Sequence, residues 1–356
     1  MNAIERITLF VMLAAAIGNS GCKSEPTTVA DHTQVSPETM EVLSWLPADT
    51  ETFISARGPF VFPSSESKRQ DYADGDRRIE AHELREVFQG LALGPLSLNN
   101  GGLEKQLLGT KVRFAAEGSR SFRSPGGLGE LPYEGCSIVI FMDHVVDRRD
   151  GFMKDSTKNA VRIEEIESHK VAVFQQKMEE DTWTTFVAFP GRNGVAVATS
   201  RPYLQEVLAR MRILRTNRAL PETLAEWKYI DPHAEFWGMR HFNRNQSQLD
   251  PASPFGGQKP ANLPDERAIG LTFQCDPAKE IKAKLVYLSD DKDKVDQIER
   301  NRFPPGTEVE STGALHIAYR NLSPGVVESS YDLRRSRPLS WFFFVFMAQL
   351  GHAVYV

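Results

Sequence analysis

The sequence predicts an α+β fold: antiparallel sheets with helices packed on them. Three features carry the prediction. Apolar residues recur in short strand-like runs that come in pairs, such as "WTTFVAFPG" and "GVAVATS", joined by the turn signal Gly191-Arg192-Asn193-Gly194. Among these pairs stand two segments with helical spacing of apolar residues. No regular strand–helix–strand alternation runs along the chain, which argues against a parallel sheet.

The elements follow in order. "ETFISARG" (51–58) is a short strand after "LPAD". "IEAHELREVFQGLAL" (79–93) places Leu84, Val87, Phe88 and Leu91 on one helical face. Two strands, 111–118 and 136–143, flank a Gly/Pro-rich connection. "RRDGFMKDSTKN" is a short helix, and the strands "HKVAVFQQ", "WTTFVAFPG" and "GVAVATS" follow it. Residues 201–214 are a helix, with Ser200 as its cap and Pro202 in its first turn. Further on, 234–242 is a strand, "AIGLTFQCD" and "EIKAKLVYLS" form a pair, and "DDKDKVDQIERN" is a polar helix opening on acids. "TGALHIAYRN" and "VVESSYDLR" close the sheet. Each half thus reads as antiparallel strands followed by a helix, which gives two loosely related halves, 41–218 and 219–337.

Composition bounds the function. The chain has 356 residues, 41% hydrophobic and 25% charged, with a net charge of -5. That is enough for sizeable cores. No basic stripe with interleaved aromatics is present, which excludes nucleic acid as the expected partner.

The first residues point to a membrane. "ITLFVMLAAAI" (7–17) is an unbroken apolar run, shorter than the roughly 20 residues a bilayer span needs. A short apolar core followed by the small residues of "GNSGC" has the layout of an export signal, residues 1–21. Ser20-Gly21-Cys22 resembles the lipobox of bacterial lipoproteins, although the third position before the cysteine, aliphatic in that family, is Asn19. The resemblance implies that Cys22 is acylated and becomes the mature N-terminus. Ordinary cleavage with a free Cys22 and an uncleaved anchor are the alternatives. Each buried methylene of an acyl chain adds about 0.8 kcal/mol of membrane affinity. Residues 22–40, polar and unperiodic, then serve as a tether. The expected location is the cell envelope, anchored to a membrane and facing the periplasm or exterior.

"WLPADTETFISARG" (45–58) and "VAVATSRPYLQEVL" (195–208) resemble parts of uncharacterised bacterial exported proteins. That likeness implies sheet–helix units and an envelope location, and no known activity.

Few residues suggest chemistry. "DYADGDRRIEAHEL" (71–84) resembles a calcium loop when Glu83 is taken as its final ligand, with Asp74 and Asp76 on ligand positions and Ile79 on the apolar one. Tyr72 then occupies the first ligand position and Arg77 the position that needs glycine. The competing reading is a helix start, with Asp74 or Asp76 as cap. Calcium is the one cofactor the sequence puts forward, through residues 74–83. His233, Glu235 and His241 would share one face of a strand, but His241 stands about 26 Å further along at roughly 3.3 Å per residue. Cys136 and Cys275 lie in strands; an exported protein allows a bridge between them, and a small buried apolar role suits them equally. No nucleophile elbow, phosphate loop or zinc-type cysteine pair is present.

Two segments remain. Residues 243–267, rich in Pro, Gly, Asn and Gln, are long for a connection and form the candidate surface for a protein partner. Residues 338–356, "PLSWFFFVFMAQLGHAVYV", are uncharged and apolar all round a helix, so they pack in a core, lie on the membrane or span it. The functional expectation is a lipid-anchored binding or scaffold protein, not an enzyme. An envelope enzyme with a site in a cleft between the halves, and a weak calcium binder, are the alternatives.

Overall fold

The structure is a computed structural model that describes residues 35–62, 81–97, 102–121, 133–178, 181–213, 217–241, 270–279, 282–289, 308–310 and 316–332. It divides into two compact units, one of residues 32–71 and 82–240, the other of 1–31, 72–81 and 241–356. Every described strand pair is antiparallel, so the α+β class holds, with sheet predominating.

The first unit contains α1 (Pro37–Trp45), β1 (Thr52–Val61), α2 (Ala81–Leu93), a 3₁₀ turn (Gly94–Ser97), α3 (Leu103–Leu107), β2 (Lys111–Ser121) and β3 (Tyr133–Phe141). It continues with α4 (Val146–Asn159), β4 (Arg162–Ile166), β5 (His169–Met178), β6 (Asp181–Ala188), β7 (Gly194–Ala198), α5 (Arg201–Arg212) and β8 (Phe236–His241). Its strands run in the order β8-β1-β2-β3-β7-β6-β5-β4.

Helices cover both faces of this sheet. One face carries Phe114, Ala116, Cys136, Ile138, Ala196, Ala198, Trp237 and Met239. They are packed under Val42, Leu43 and Leu46 of α1 and Tyr203, Leu204, Val207 and Leu208 of α5. Gly118 is required here: a side chain at that position would run into Leu46. The alternate residues of the same strands face α2 and α4, where Phe88 stacks on Phe236 at 5.2 Å and Phe152 meets Phe174 at 5.8 Å. Burial on both faces explains why β7 reads "GVAVA", apolar throughout, instead of alternating.

The helix starts follow capping chemistry. Ser36 Oγ accepts from Thr39 N at 3.2 Å, with Pro37 next and Glu38 in the first turn. Ser200 Oγ accepts from Tyr203 N at 3.4 Å, and Arg210 and Arg212 sit in the last turn of α5. The same Ser200 hydroxyl donates to Glu134 Oε1 at 2.5 Å. Ser200→Ala therefore removes a cap and a charged-acceptor bond together. We expect a loss of about 2 kcal/mol in a urea titration, with Ser200→Thr restoring most of it.

β8, which lies beyond residue 218, pairs with β1 through Phe53↔Met239 and Ser55↔Trp237 and belongs to the first compact unit. His233 and Glu235 lie in the turn before β8, which begins at Phe236, and so do not share a strand face with His241.

The second unit contains β9 (Gly270–Cys275), β10 (Lys282–Leu288), β11 (Glu308–Glu310), β12 (His316–Ser323) and β13 (Val326–Asp332), in the order β11-β12-β13-β10-β9. Leu271, Phe273, Leu285, Val286, Val327 and Tyr331 are buried. The β12–β13 hairpin turns at Gly325, whose φ of 83° suits glycine. Arg320 and Glu328 stand directly opposite across it and pair at 2.8 Å.

Candidate functional site

Two polar clusters in the first unit gather titratable groups. The first joins β2, β3, the turn before β1 and the start of α5. Arg120 and Glu134 are cross-strand partners, which brings Arg120 Nε to 2.7 Å from Glu134 Oε2. Arg120 Nη1 reaches Asp49 Oδ2 at 2.5 Å. The guanidinium lies over the Tyr203 ring, 5.3 Å from its centroid, and the Tyr203 hydroxyl hydrogen-bonds Thr50 Oγ1 at 2.9 Å. With Ser200 on Oε1, both oxygens of Glu134 are engaged.

The electrostatics match this geometry. Burial alone would lower the Arg120 pKa, but the Glu134 hydrogen bond and the Asp49 and Glu134 charges hold it above its usual value. Burial carries the Tyr203 phenol well above its ordinary range, against the opposing Thr50 bond. Ser200 donates to a carboxylate that is itself held by an arginine. The cluster fastens α5 and the turn before β1 to the sheet; its groups satisfy one another.

The second cluster is on the opposite sheet face. Glu117 of β2 stands opposite Ile54 of β1 and Ser137 of β3, and is buried. Its Oε1 has no hydrogen-bond partner. Gly94, at φ 39°, lies so close that an added Cβ would overlap the carboxyl. The neighbouring Ser137 hydroxyl donates to Leu93 O and accepts from Leu96 N at 3.4 Å, pinning the end of α2. Burial pushes the Glu117 carboxyl up from 4.5 to about 8. Nothing in the sequence singled it out: it is one glutamate in "KVRFAAEG".

The residues that the sequence put forward are placed as follows. Cys22, Asp74, Asp76, the 243–267 segment and residues 338–356 lie outside the described residues. Glu83 is on α2. Cys136 lies buried in β3 and Cys275 buried in β9, a setting that suits a small buried apolar role. Burial, and then the Glu117 charge, push the Cys136 thiol up. Cys136 packs in the α1–α5 core and faces Ala198 across the strands. Glu235 pairs with Arg85 at 2.6 Å, and Arg57 donates to the carbonyls of Pro232 and His233, both at 3.1 Å. Arg57 Nη2 also lies 3.4 Å from His233 Nδ1. Among the described residues no three or more His, Cys, Asp or Glu side chains are grouped to hold a metal. None of the described helices is long and apolar enough to cross a membrane.

Comparison with known proteins adds a single likeness. No family model matches the chain, and no curated protein matches it. A crystal structure of TP0453 (crystal form IV) aligns over 88% of this chain and 97% of that one, at 9% identity and a TM-score of 0.37. At that level of similarity we draw nothing from it.

Proposed function

We propose that this chain is an exported, lipid-anchored cell-envelope protein that acts as a non-enzymatic binding or scaffold module facing the periplasm or exterior. The observation that carries the reading is the apolar run 7–17 closing on Ser20-Gly21-Cys22. An acylated Cys22 ahead of a short polar tether keeps the folded units within a few tens of ångströms of the bilayer, at roughly 3.3 Å per residue.

The described polar cluster around Arg120 supports the non-enzymatic part of the reading. A catalytic serine needs a base free to take its proton. Ser200 instead serves as a helix cap and donates to Glu134, whose other oxygen is held by Arg120. Such an arrangement fastens α5 to the sheet and leaves no base free beside the serine. Residues 243–267 are the segment we assign to a protein partner, because a connection of that length and composition usually has a role of its own.

Fractionation of cells carrying Cys22→Ser tests the anchor. The wild-type chain should partition into detergent with the membranes, and the variant should move to the aqueous fraction. Equal membrane association of the two would overturn the reading. A steady turnover by the purified protein in a broad hydrolase and redox screen would overturn its non-enzymatic part.

A further inference from the structure

Glu117 has the setting of a working group, with one carboxyl oxygen left without a hydrogen-bond partner. It is buried in the middle of a sheet, its Oε1 meets no donor, and the first residue of the 3₁₀ turn, Gly94, closes directly over the carboxyl. Ile54 faces it from β1 and Ser137 from β3, with the Cys136 thiol next along β3. On the same sheet face, one step along, stand Ser119, Thr52 and Arg240, and the Arg240 guanidinium interacts with Glu51. From α2, Arg85 is paired with Glu235 at 2.6 Å, while His82 and Glu86 belong to the first two turns, far along the helix from Gly94.

We propose that Glu117 is the proton-operated catch of a flap made of α2 and the 3₁₀ turn, residues 81–97. With the proton on, the carboxyl is neutral and the flap closes over it. When the proton leaves to water, the carboxylate left behind is buried and uncompensated. Hydrating it requires the lid above it to lift, and that lid is held through Ser137, the Arg85–Glu235 pair, the Phe88–Phe236 stack and the buried Leu84, Leu91, Leu93 and Leu96. A buried ion without a partner is among the costliest arrangements in a protein interior, and a local opening that hydrates it relieves that cost. Because the closed-state pKa is about 8 and a hydrated carboxyl returns toward 4.5, opening grows with pH between those values and levels off above about 8. This inference stands on the described residues alone and is independent of the lipid anchor.

Amide hydrogen exchange on the full chain between pH 5 and 9.5, corrected for the intrinsic pH dependence of exchange, reads the flap directly. Peptides from 81–97 should lose protection as pH rises toward about 8, by up to about tenfold per pH unit, and lose no more above it. Peptides from α5 should keep theirs. Glu117→Gln should make the 81–97 profile flat, and Gly94→Ala, which crowds the carboxyl, should open the flap at lower pH. Wild-type protection of 81–97 that does not change with pH would overturn the proposal, whether or not the variants fold. So would the same pH response in Glu117→Gln, or a loss of protection that α5 shares equally.

Discussion

Glu117→Gln is expected to make the protein more stable than wild type at pH 9 and to leave it little changed near pH 4.5. The folded-state pKa is raised, from 4.5 to about 8, by burial. Below 4.5 the carboxyl is protonated in both the folded and unfolded chains and costs nothing. Between 4.5 and about 8 the unfolded chain has released the proton and the folded one holds it, so stability falls as pH rises. Above about 8 the loss is complete. At about 1.36 kcal/mol per unit the interval corresponds to roughly 5 kcal/mol, a large share of the 5–15 kcal/mol that holds a domain together. Local opening of the flap relieves part of it, so roughly 5 is the ceiling. The neutral amide carries no such penalty at any pH. Urea titrations of both proteins at pH 4.5, 6, 7.5 and 9 measure the difference. The gap should widen with pH up to about 8, and parallel curves would show that the Glu117 pKa is the same in the folded and unfolded chains.

Trp237→Ala is expected to cost about 3–5 kcal/mol. Trp237 is 2% exposed, on β8 opposite Ser55 of β1. Its ring lies 5.1 Å from Phe53 and 5.7 Å from Trp227, so one residue links β8, β1 and the 3₁₀ segment Ala225–Tyr229. Truncation leaves a cavity in the α1–α5 core and weakens the attachment of a strand that arrives late in the chain. Trp237→Phe, which keeps an aromatic in the site, should cost less than half as much. The denaturation midpoint and the near-ultraviolet dichroism report both effects. A loss below 1 kcal/mol for the alanine variant would mean that β8 is not held through this core.

The pattern of apolar residues disclosed most of the strands, and Ser200 disclosed the start of α5, because capping and period-two patterning are local. What escaped was governed by contacts distant in sequence. β4, "RIEEI", is a charged edge strand and lacks a clear strand pattern. Its hairpin turns through Glu167 at φ 50° and Ser168 at φ 64°, a left-handed pair usually marked by Asn-Gly, so the expected turn signal was missing. The short helix α1 carries a Ser-Pro start, yet its nine residues show too little periodicity to stand out. β8 was legible as a strand, but its partner was not: only the pairing with β1 reveals which core Trp237 serves. Glu117 was invisible for a similar reason. Its burial depends on α2 and Gly94 folding over it, and a glutamate after "RFAA" carries no local mark of that. The cysteines were ambiguous in sequence because an oxidising compartment and a buried apolar site make the same demand on residue type.

The membrane reading rests on Cys22, and the mass of the mature N-terminal peptide tests it most directly. The protein purified from the membrane fraction of its own host should begin at Cys22, with residues 1–21 gone and the mass of acyl chains added to that residue. A chain that begins elsewhere, or a Cys22 peptide of unmodified mass, would contradict the anchor.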